Sequence, residues 1–290
     1  MTGDRIPRRT LLRRALAAAL ASGALAVPHR RAHAAPKAEL WPRWLENRPG
    51  ATSAIDHGAW DRLLAAYLVP GSDGITRFAY AGLAASANRR DLDDYVAGLG
   101  RVPIGGYARA QQLAFWLNLY NALTVQLIVD HYPVASIRDI DISPGLFADG
   151  PWGKTLIAID GEPVSLDDIE HRILRPIWAD PRIHYGVNCA SLGCPNLPPR
   201  AFTAGTSDRL LDEGARAFVT HPRGARVDRG RLTVSSIYVW FKEDFGGNDR
   251  GVIAHLRRYA DPAMARALEG VGRISDHTYD WSLNDAGSSR

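Results

Sequence analysis

Cysteine is scarce in this sequence, which has only Cys189 and Cys194 among its 290 residues. Two cysteines exclude a disulfide-rich scaffold and a four-cysteine zinc site. Long apolar runs are also missing, apart from one between Ala15 and Val27 that is too short to span a bilayer. There is no glycine-rich phosphate loop, GxSxG or HExxH motif, and no pair of carboxylates in a catalytic context. We therefore expect no nucleotide-dependent chemistry and no cofactor.

The amino-terminal segment has the features of a twin-arginine export signal. Arg8 and Arg9 precede two leucines and the short apolar run, and residues 32–34 form the small-x-small triplet Ala-His-Ala. This pattern predicts cleavage between Ala34 and Ala35, and hence a periplasmic or secreted protein with no stable membrane insertion after cleavage. The alternative interpretation is a basic amphipathic arm at the amino terminus.

The basic charge of the chain comes from this segment. The formal net charge is +4, but the first 34 residues hold seven Arg and one acidic residue, so the remaining chain has a net charge of −2. It also contains no basic cluster longer than a pair. Nucleic-acid binding therefore has no electrostatic support.

The pattern after the signal predicts one helix-rich domain. We expect an extended lead-in over residues 35–58, a single domain over 59–284 and a frayed tail over 285–290. The class is α+β, with helices around a small, mostly antiparallel sheet. The elements that place functional residues are a central helix from Tyr107 to Tyr132, a hairpin around Asp160-Gly161, a helix from Ser165 through Leu174 that Pro176 ends, and a strand from Ile183 to Asn188.

Four motifs occur together between residues 60 and 284. They are FWLNLYN (Phe115–Asn121), SLDDIEHRIL (Ser165–Leu174), RIHYGVNCASLGCP (Arg182–Pro195) and YDWSLN (Tyr279–Asn284). In this order they resemble the family called domain of unknown function 547. The resemblance brings no established activity. Plant members that join a similar domain to a coiled coil look like interaction proteins, but this chain lacks heptads and is similar to the exported bacterial members.

The densest set of reactive side chains lies on the predicted strand and the loop after it. His184, Asn188, Cys189 and Cys194 all fall there, where rigid scaffolds often present functional groups. Gly186 between them indicates either close approach of a ligand or packing under a core aromatic side chain. Asn118 and Asn121 share one face of the central helix, so they either bind a substrate or satisfy buried loop backbone.

Cys189 has three interpretations. In an exported protein it forms a disulfide with Cys194, which closes a short loop and contributes about 2 kcal/mol. Alternatively it is a nucleophilic thiolate activated by an imidazole. A metal site with His171, His184 and the thiols is the third interpretation, but the spacing matches no known ligand pattern, so we expect no metal.

The base for a nucleophilic Cys189 depends on where the strand ends. If the strand stays regular through residue 189, His184 points to the opposite face, and His171 is the base with Glu170 or Asn121 to orient it. If the strand ends at Asn188, His184 is again a candidate.

Two functions follow. One is a thiol-dependent hydrolase or transferase acting on an amide or ester, with a small-molecule or peptide ligand. The other is a non-catalytic ligand-binding or interaction domain with a structural disulfide between Cys189 and Cys194. In both, we expect one cleft where the loop around Cys189 meets the central helix and the helix that carries His171.

Overall fold

The computed structural model describes residues 36–145 and 150–287, which all belong to one compact unit. The predicted export signal and its cleavage site lie outside these residues. Within the described part of the chain, no helix is both long enough and apolar enough to cross a membrane.

The first half of the domain surrounds one long helix. Its helices are α1 (Gly58–Tyr67), α2 (Tyr80–Ala84), α3 (Asn88–Leu99) and α4 (Arg109–His131). Short 3-10 turns cover Pro42–Leu45, Ile104–Gly106 and Ile137–Asp139. Two antiparallel hairpins complete this half, β1 (Leu68–Pro70) with β2 (Thr76–Phe78) and β3 (Ile157–Ile159) with β4 (Glu162–Val164).

The second half begins with a π-helix over Asp168–Leu174 that continues as α5 (Arg175–Trp178). The helices that follow are α6 (Ile183–Gly186), α7 (Ser207–Thr220), α8 (Ile237–Trp240), α9 (Asp249–Tyr259) and α10 (Pro262–Ala267), with a 3-10 turn over Lys242–Phe245. The last sheet has the order β5 (Ala225–Asp228), β6 (Arg231–Ser235) and β7 (Ile274–Thr278).

The predicted class is confirmed. Helices dominate the described residues, and the strands there form small sheets of two or three strands. Most strand pairs are antiparallel, and β6 with β7 is the parallel one. One apolar core surrounds α4, and a second lies between α7, α9 and the last sheet.

The central helix is buried on nearly all sides, so its polar side chains need partners inside the protein. Asn118 donates to the Phe202 carbonyl at 2.8 Å and accepts from the Phe202 N–H at 2.9 Å. Asn121 binds the segment before Cys189 in the same two-sided way. Both amides therefore satisfy buried backbone groups, which is the structural one of the two interpretations of these residues.

The predicted strand from Ile183 to Asn188 is wrong, because residues 183–186 form helix α6. The Asp180 carboxylate accepts the Arg182 N–H at 2.8 Å, and Pro181 follows Asp180, so this short sequence starts a helical turn. Packing encloses the turn: a Cβ on Gly186 would lie 2.7 Å from a Leu211 methyl. Gly186 is therefore small because of packing. The alternation of apolar residues over 183–188, which suggested a strand, belongs to a helical turn that is buried on all sides.

The predicted end of a helix at Pro176 is also wrong, because helical backbone continues through Trp178. Pro176 has no N–H to give to the Arg172 carbonyl, and the N–H of Trp41 in the lead-in takes that position at 3.0 Å. The Glu39 N–H likewise binds the His171 carbonyl at 2.9 Å. Backbone N–H groups of the lead-in thus bind two carbonyls that have no partner within the helix, because of the π-helical turn and Pro176.

Candidate functional site

The loop from Cys189 to Cys194 is held by the last segment of the domain. The Leu192 N–H donates to the Ser282 carbonyl and the Gly193 N–H to the Asp280 carbonyl, each at 2.8 Å. The Asn284 N–H donates to the Ala190 carbonyl at 3.0 Å. These bonds bring the closing YDWSLN motif against the thiol loop.

Two buried asparagines fix the start of this loop. Asn121 donates to the Gly186 carbonyl at 2.8 Å and accepts the Asn188 N–H at 2.9 Å. The Asn188 side chain donates to the Pro195 carbonyl at 2.7 Å and accepts the Ala190 N–H at 2.8 Å. Ala190 has a φ of +59°, a left-handed conformation that costs energy in a residue with a Cβ. Hydrogen bonds of the two asparagines thus hold the loop in a strained shape.

The two sulfur atoms are in direct contact. Cys189 and Cys194 are free thiols in this structure, and their Sγ atoms lie 2.6 Å apart. The Tyr279 hydroxyl lies 3.1 Å from each sulfur and 2.8 Å from the Ser191 hydroxyl. The Cys189 N–H donates to the Cys194 sulfur at 3.1 Å. The disulfide between the two residues stays a prediction.

This arrangement favours one negative charge on the thiol pair. Burial alone would raise the pKa of Cys194, but the hydrogen bonds from Cys189 and Tyr279 outweigh burial and lower that pKa to about 7. The pKa of Cys189 is raised well above its usual range, because its proton is held in the hydrogen bond to Cys194 and because it is buried. Near neutral pH the pair therefore holds one proton between two sulfurs.

The two histidines lie in a separate ionic cluster, which consists of Glu170, His171, Arg175, His184 and Asp244. His184 Nε2 is 2.7 Å from Asp244 Oδ2, and its Nδ1 is 3.6 Å from Glu170 Oε1. Burial would lower the pKa of His184, but these carboxylates outweigh burial and raise it, which favours the charged form of the ring. The Phe241 ring stacks on His184 with 4.4 Å between centroids.

His171 takes the neutral form in this ionic cluster. Its Nδ1 lies 3.0 Å from Arg175 Nη1, and because arginine can only donate, Nδ1 accepts. Its Nε2 then carries the hydrogen and lies 3.7 Å from Asp167 Oδ1. Burial lowers the pKa of His171 to about 4.

Arg175 completes the ionic cluster. Its Nε and Nη2 bind the Asp244 carboxylate at 2.6 and 3.2 Å, and its Nη1 donates to the Pro36 carbonyl at 2.8 Å. Burial opposes ionisation of Asp244, but His184 and Arg175 lower its pKa to about 2. In the same way, the two histidines and Arg175 lower the pKa of Glu170 to about 2 despite burial.

The structure thus divides the predicted site residues. Asn121 and Asn188 hold the thiol loop, whereas His171 and His184 belong to the ionic cluster. Within the described residues, no hydrogen bond joins either imidazole to either sulfur. The sequence interpretation did not include the residues that do contact the sulfurs, Ser191 and Tyr279. The sequence does contain a signal for both residues, because each lies inside one of the motifs that carry the family resemblance.

The described side chains include no group of three or more His, Cys, Asp and Glu arranged to hold a metal ion.

The aromatic rings beside the sulfurs are only partly buried. The Tyr279 ring lies 4.9 Å from Trp240 and 4.7 Å from Trp281, between ring centroids. Arg138 lies over Trp281 at 5.3 Å.

Comparison with known protein families identifies part of this architecture. Residues 104–219 match the model of the family described as protein of unknown function, DUF547. Over this range the chain is similar to DUF547 proteins. No curated protein and no solved structure matches it. The matched range includes α4, the π-helix and the thiol loop, and the segments that carry Asp244 and Tyr279 follow it in the chain.

Proposed function

We propose that this protein is a thiol-dependent catalyst that works by thiol–disulfide exchange at Cys189 and Cys194. The observation that carries this proposal is the contact between the two sulfurs, 2.6 Å apart, with the Tyr279 hydroxyl on both. A thiolate is the nucleophile in exchange, and this pair supplies one near neutral pH. The substrate is a disulfide of a small molecule or a peptide.

Cys189 is the attacking residue and Cys194 the resolving one. Cys189 is partly exposed, whereas Cys194 is 4% exposed. Transfer of the shared proton from Cys189 to Cys194 places the negative charge on the accessible sulfur. Once Cys189 has formed a mixed disulfide, Cys194 is already in position to displace the substrate.

The predicted hydrolase or transferase acting on an amide or ester is the second candidate. The left-handed backbone of Ala190, directly after the nucleophile, favours it, because backbone strain clusters at active sites. Acyl transfer also needs a base and donors for an oxyanion. The ring nitrogens of His171 and His184 are engaged in the ionic cluster, and the N–H groups of Cys189 and Ala190 already donate within the loop. We therefore rank exchange first.

The third candidate is the non-catalytic domain with a structural disulfide. It uses the same two sulfurs, so the reduction potential separates it from exchange. Structural disulfides in secreted proteins have potentials below about −300 mV, and glutathione does not reduce them.

The test is a redox titration of purified protein in glutathione buffers, read as the free-thiol count. We expect reversible interconversion of two thiols and one disulfide within the glutathione range, and a trapped mixed disulfide in Cys194→Ser. Retention of the disulfide in every buffer would support the structural role. Two thiols that never form a disulfide, combined with ester hydrolysis that Cys189→Ser abolishes, would support the hydrolase.

We also propose export by the twin-arginine route, on the strength of Arg8, Arg9 and the apolar run that follows. Replacing both arginines by lysine should leave precursor in the cytoplasm, because the transport receptor reads the arginine pair. Fractionation of cells followed by immunoblotting measures this. Normal amounts of processed protein outside the cytoplasm would contradict it.

A further inference from the structure

One arginine is bonded into the thiol loop without a carboxylate partner. Arg223 Nη1 donates to the Leu192 carbonyl at 2.8 Å, and its Nη2 donates to Asn196 Oδ1 at 2.6 Å. Both acceptors are neutral oxygens, and no carboxylate of the described residues forms an ion pair with this guanidinium. Its Nε is buried and has no hydrogen-bond partner there either. A positive charge withdrawn from water without a counter-charge destabilises a fold, so this guanidinium calls for an anion nearby.

The two bonds place the guanidinium across the turn that carries Cys194. Leu192 and Asn196 lie two residues before and two residues after this cysteine. Inside the turn, the Cys194 N–H donates to the Ser191 carbonyl at 3.1 Å. The positive charge therefore lies on the Cys194 side of the thiol pair. In the part of the chain that the structure describes, no hydrogen bond joins the guanidinium to either sulfur, so its influence on them comes from its charge.

Packing and backbone contacts hold Arg223 in this position. Its Cζ lies 5.5 Å from the centroid of the Phe218 ring on α7, and its backbone N–H donates to His221 Nδ1 at 3.1 Å. Asn196 is itself fixed, because its Oδ1 also accepts the Thr76 N–H at 2.9 Å. The charge thus has a defined place relative to the thiol loop.

The other ionisable groups nearby leave the role of counter-charge to the thiol pair. Asp73 is already paired with Arg77 at 2.7 Å. Burial raises the pKa of the phenols that act on the thiol pair well above its usual range, so they carry no charge: Tyr80, Tyr120 and Tyr279. Burial also lowers the pKa of Arg223, and a negative charge on Cys194 acts against this effect.

We propose that Arg223 is a positioning residue whose positive charge favours the thiolate form of the resolving residue, Cys194. This inference rests on the exchange function proposed above. A cation stabilises a nearby thiolate relative to the thiol. Because only the reduced protein contains a thiolate, Arg223 should also favour the dithiol form over the disulfide.

The charge matters in the second step of exchange. After Cys189 has formed a mixed disulfide, the Cys194 thiolate forms a bond to Cys189 Sγ and the S–S bond to the substrate breaks. Its electron pair leaves on the substrate sulfur, which takes a proton from water. The protonated thiol of Cys194 is not the nucleophile of this step. Over the whole reaction, two protein thiols are oxidised and one substrate disulfide is reduced to two thiols.

The test compares Arg223→Gln, which removes the charge, with Arg223→Lys, which retains it. The pH dependence of alkylation by iodoacetamide measures the ionisation of the thiol pair. We expect the midpoint to rise by about one pH unit in Arg223→Gln and to stay within about 0.3 unit of the native value in Arg223→Lys. Both variants lose the forked hydrogen bonds to Leu192 and Asn196, so a loosened loop alone would shift both midpoints equally.

The equilibrium with glutathione gives a second readout. At pH 8, a thiol pKa higher by about one unit should shift the equilibrium of Arg223→Gln about fivefold toward the disulfide, or about 20 mV at about 30 mV per tenfold change. At pH 6 the thiols of both proteins are mostly protonated, so the difference should vanish. A shift that is equally large at pH 6 would come from altered loop structure and would overturn the inference.

The matched control is Arg77→Gln, which removes a partly exposed cation that already pairs with Asp73. It should move the alkylation midpoint by less than about 0.3 pH unit. An equal shift in Arg77→Gln and Arg223→Gln would overturn the inference, as would an unchanged midpoint in Arg223→Gln or an equal rise in both Arg223 variants.

Two further outcomes keep the inference separate from folding and from the exchange function. If Arg223→Gln does not fold, Arg223→Lys still decides, because a midpoint raised by a full unit in that variant would overturn the role of the charge. If the native protein never forms the disulfide, the exchange function fails. The alkylation midpoints then still show whether Arg223 stabilises the thiolate.

Discussion

The ionic cluster and the thiol pair are both buried polar regions, but they leave their reactive groups in different states. In the ionic cluster, the positive charges of His184 and Arg175 face the carboxylates of Glu170 and Asp244. At the thiol pair, the donors to sulfur are a phenol and a backbone N–H, so a thiolate is stabilised without being neutralised. An imidazole bound on both sides has no nitrogen left for chemistry, whereas the thiolate of the pair keeps its negative charge on sulfur.

This difference changes how histidines near a cysteine should be interpreted. A basic ring and a thiol in the same family motif suggest a nucleophile and its base. Here the ring of His184 is committed to Asp244 and stacked under Phe241. We therefore expect substitutions in the ionic cluster to lower stability and substitutions at the thiol pair to alter thiol reactivity.

The largest effect should follow removal of Arg175, whose side chain is 5% exposed. Arg175→Met leaves Asp244 with one cation fewer and the Pro36 carbonyl without its donor. We expect a loss of about 3 kcal/mol in the free energy of unfolding, measured by urea denaturation at pH 7. The control is Arg209→Met, which breaks an exposed pair with Glu213 and should cost about 0.5 kcal/mol or less. Equal losses would mean that the ionic cluster is not the stronger structural element.

The same variant has a pH signature. The pKa of Asp244 is lowered from 3.8 to about 2, so its contribution is complete above the ordinary value and is lost as the pH falls through the lower one. The stability difference between the native protein and Arg175→Met should therefore shrink as the pH falls from 4 toward 2. Denaturation curves across this range measure it, and a constant difference would contradict the assignment.

A smaller loss of stability, with a distinct effect on reactivity, should come from the two central asparagines. Asn118→Leu and Asn121→Leu each leave one buried N–H and one buried carbonyl unpaired, so both should lose about 2 kcal/mol. Asn121 fixes the thiol loop and Asn118 does not, so only Asn121→Leu should also slow thiol exchange in the folded protein. Similar exchange rates in the two variants would show that the loop keeps its shape without Asn121.

Amphipathic periodicity in a sequence indicates which face of a helix is buried. Helices α3, α7 and α9 bury the positions that their spacing indicates. The hairpin around Asp160-Gly161 also formed as predicted, since both residues have positive φ, which those two residue types tolerate. Strand β7 could not be predicted in this way, because four of its five residues are exposed and show no apolar alternation.

The site was harder to predict, since period-two alternation over residues 183–188 also fits a short helix enclosed on every side. In a strand, alternate side chains point to opposite faces, and the prediction for His184 used that rule. The rule does not apply to a helical turn. Contacts that depend on distant segments were also out of reach. Asp244 and Tyr279 meet the predicted residues only in the folded chain, 60 residues from His184 and 90 from Cys189.

At the thiol pair, Tyr279→Phe should change the pH dependence of alkylation. In the native protein, the rate with iodoacetamide should rise with a midpoint of about 7, the pKa of Cys194. Loss of the Tyr279 hydroxyl removes a donor to the thiolate and should raise the midpoint by about one pH unit. Peptide mass spectrometry measures the rate, with Tyr67→Phe, whose hydroxyl bonds Ser86, as the control. An unchanged midpoint would mean that Tyr279 does not stabilise the charge.

The smallest effect should come from His171→Ala. The pKa of His171 is about 4, so at pH 7 the ring carries no charge that could favour a thiolate, and its Nδ1 accepts from Arg175. Alkylation of the thiol pair at pH 7 should therefore change less than about twofold, although the variant loses some stability. The assay is the one used for Tyr279→Phe, in protein shown to be folded by circular dichroism. A rate that falls as far as in Tyr279→Phe would make His171 the base of Cys189 and would favour acyl transfer over disulfide exchange.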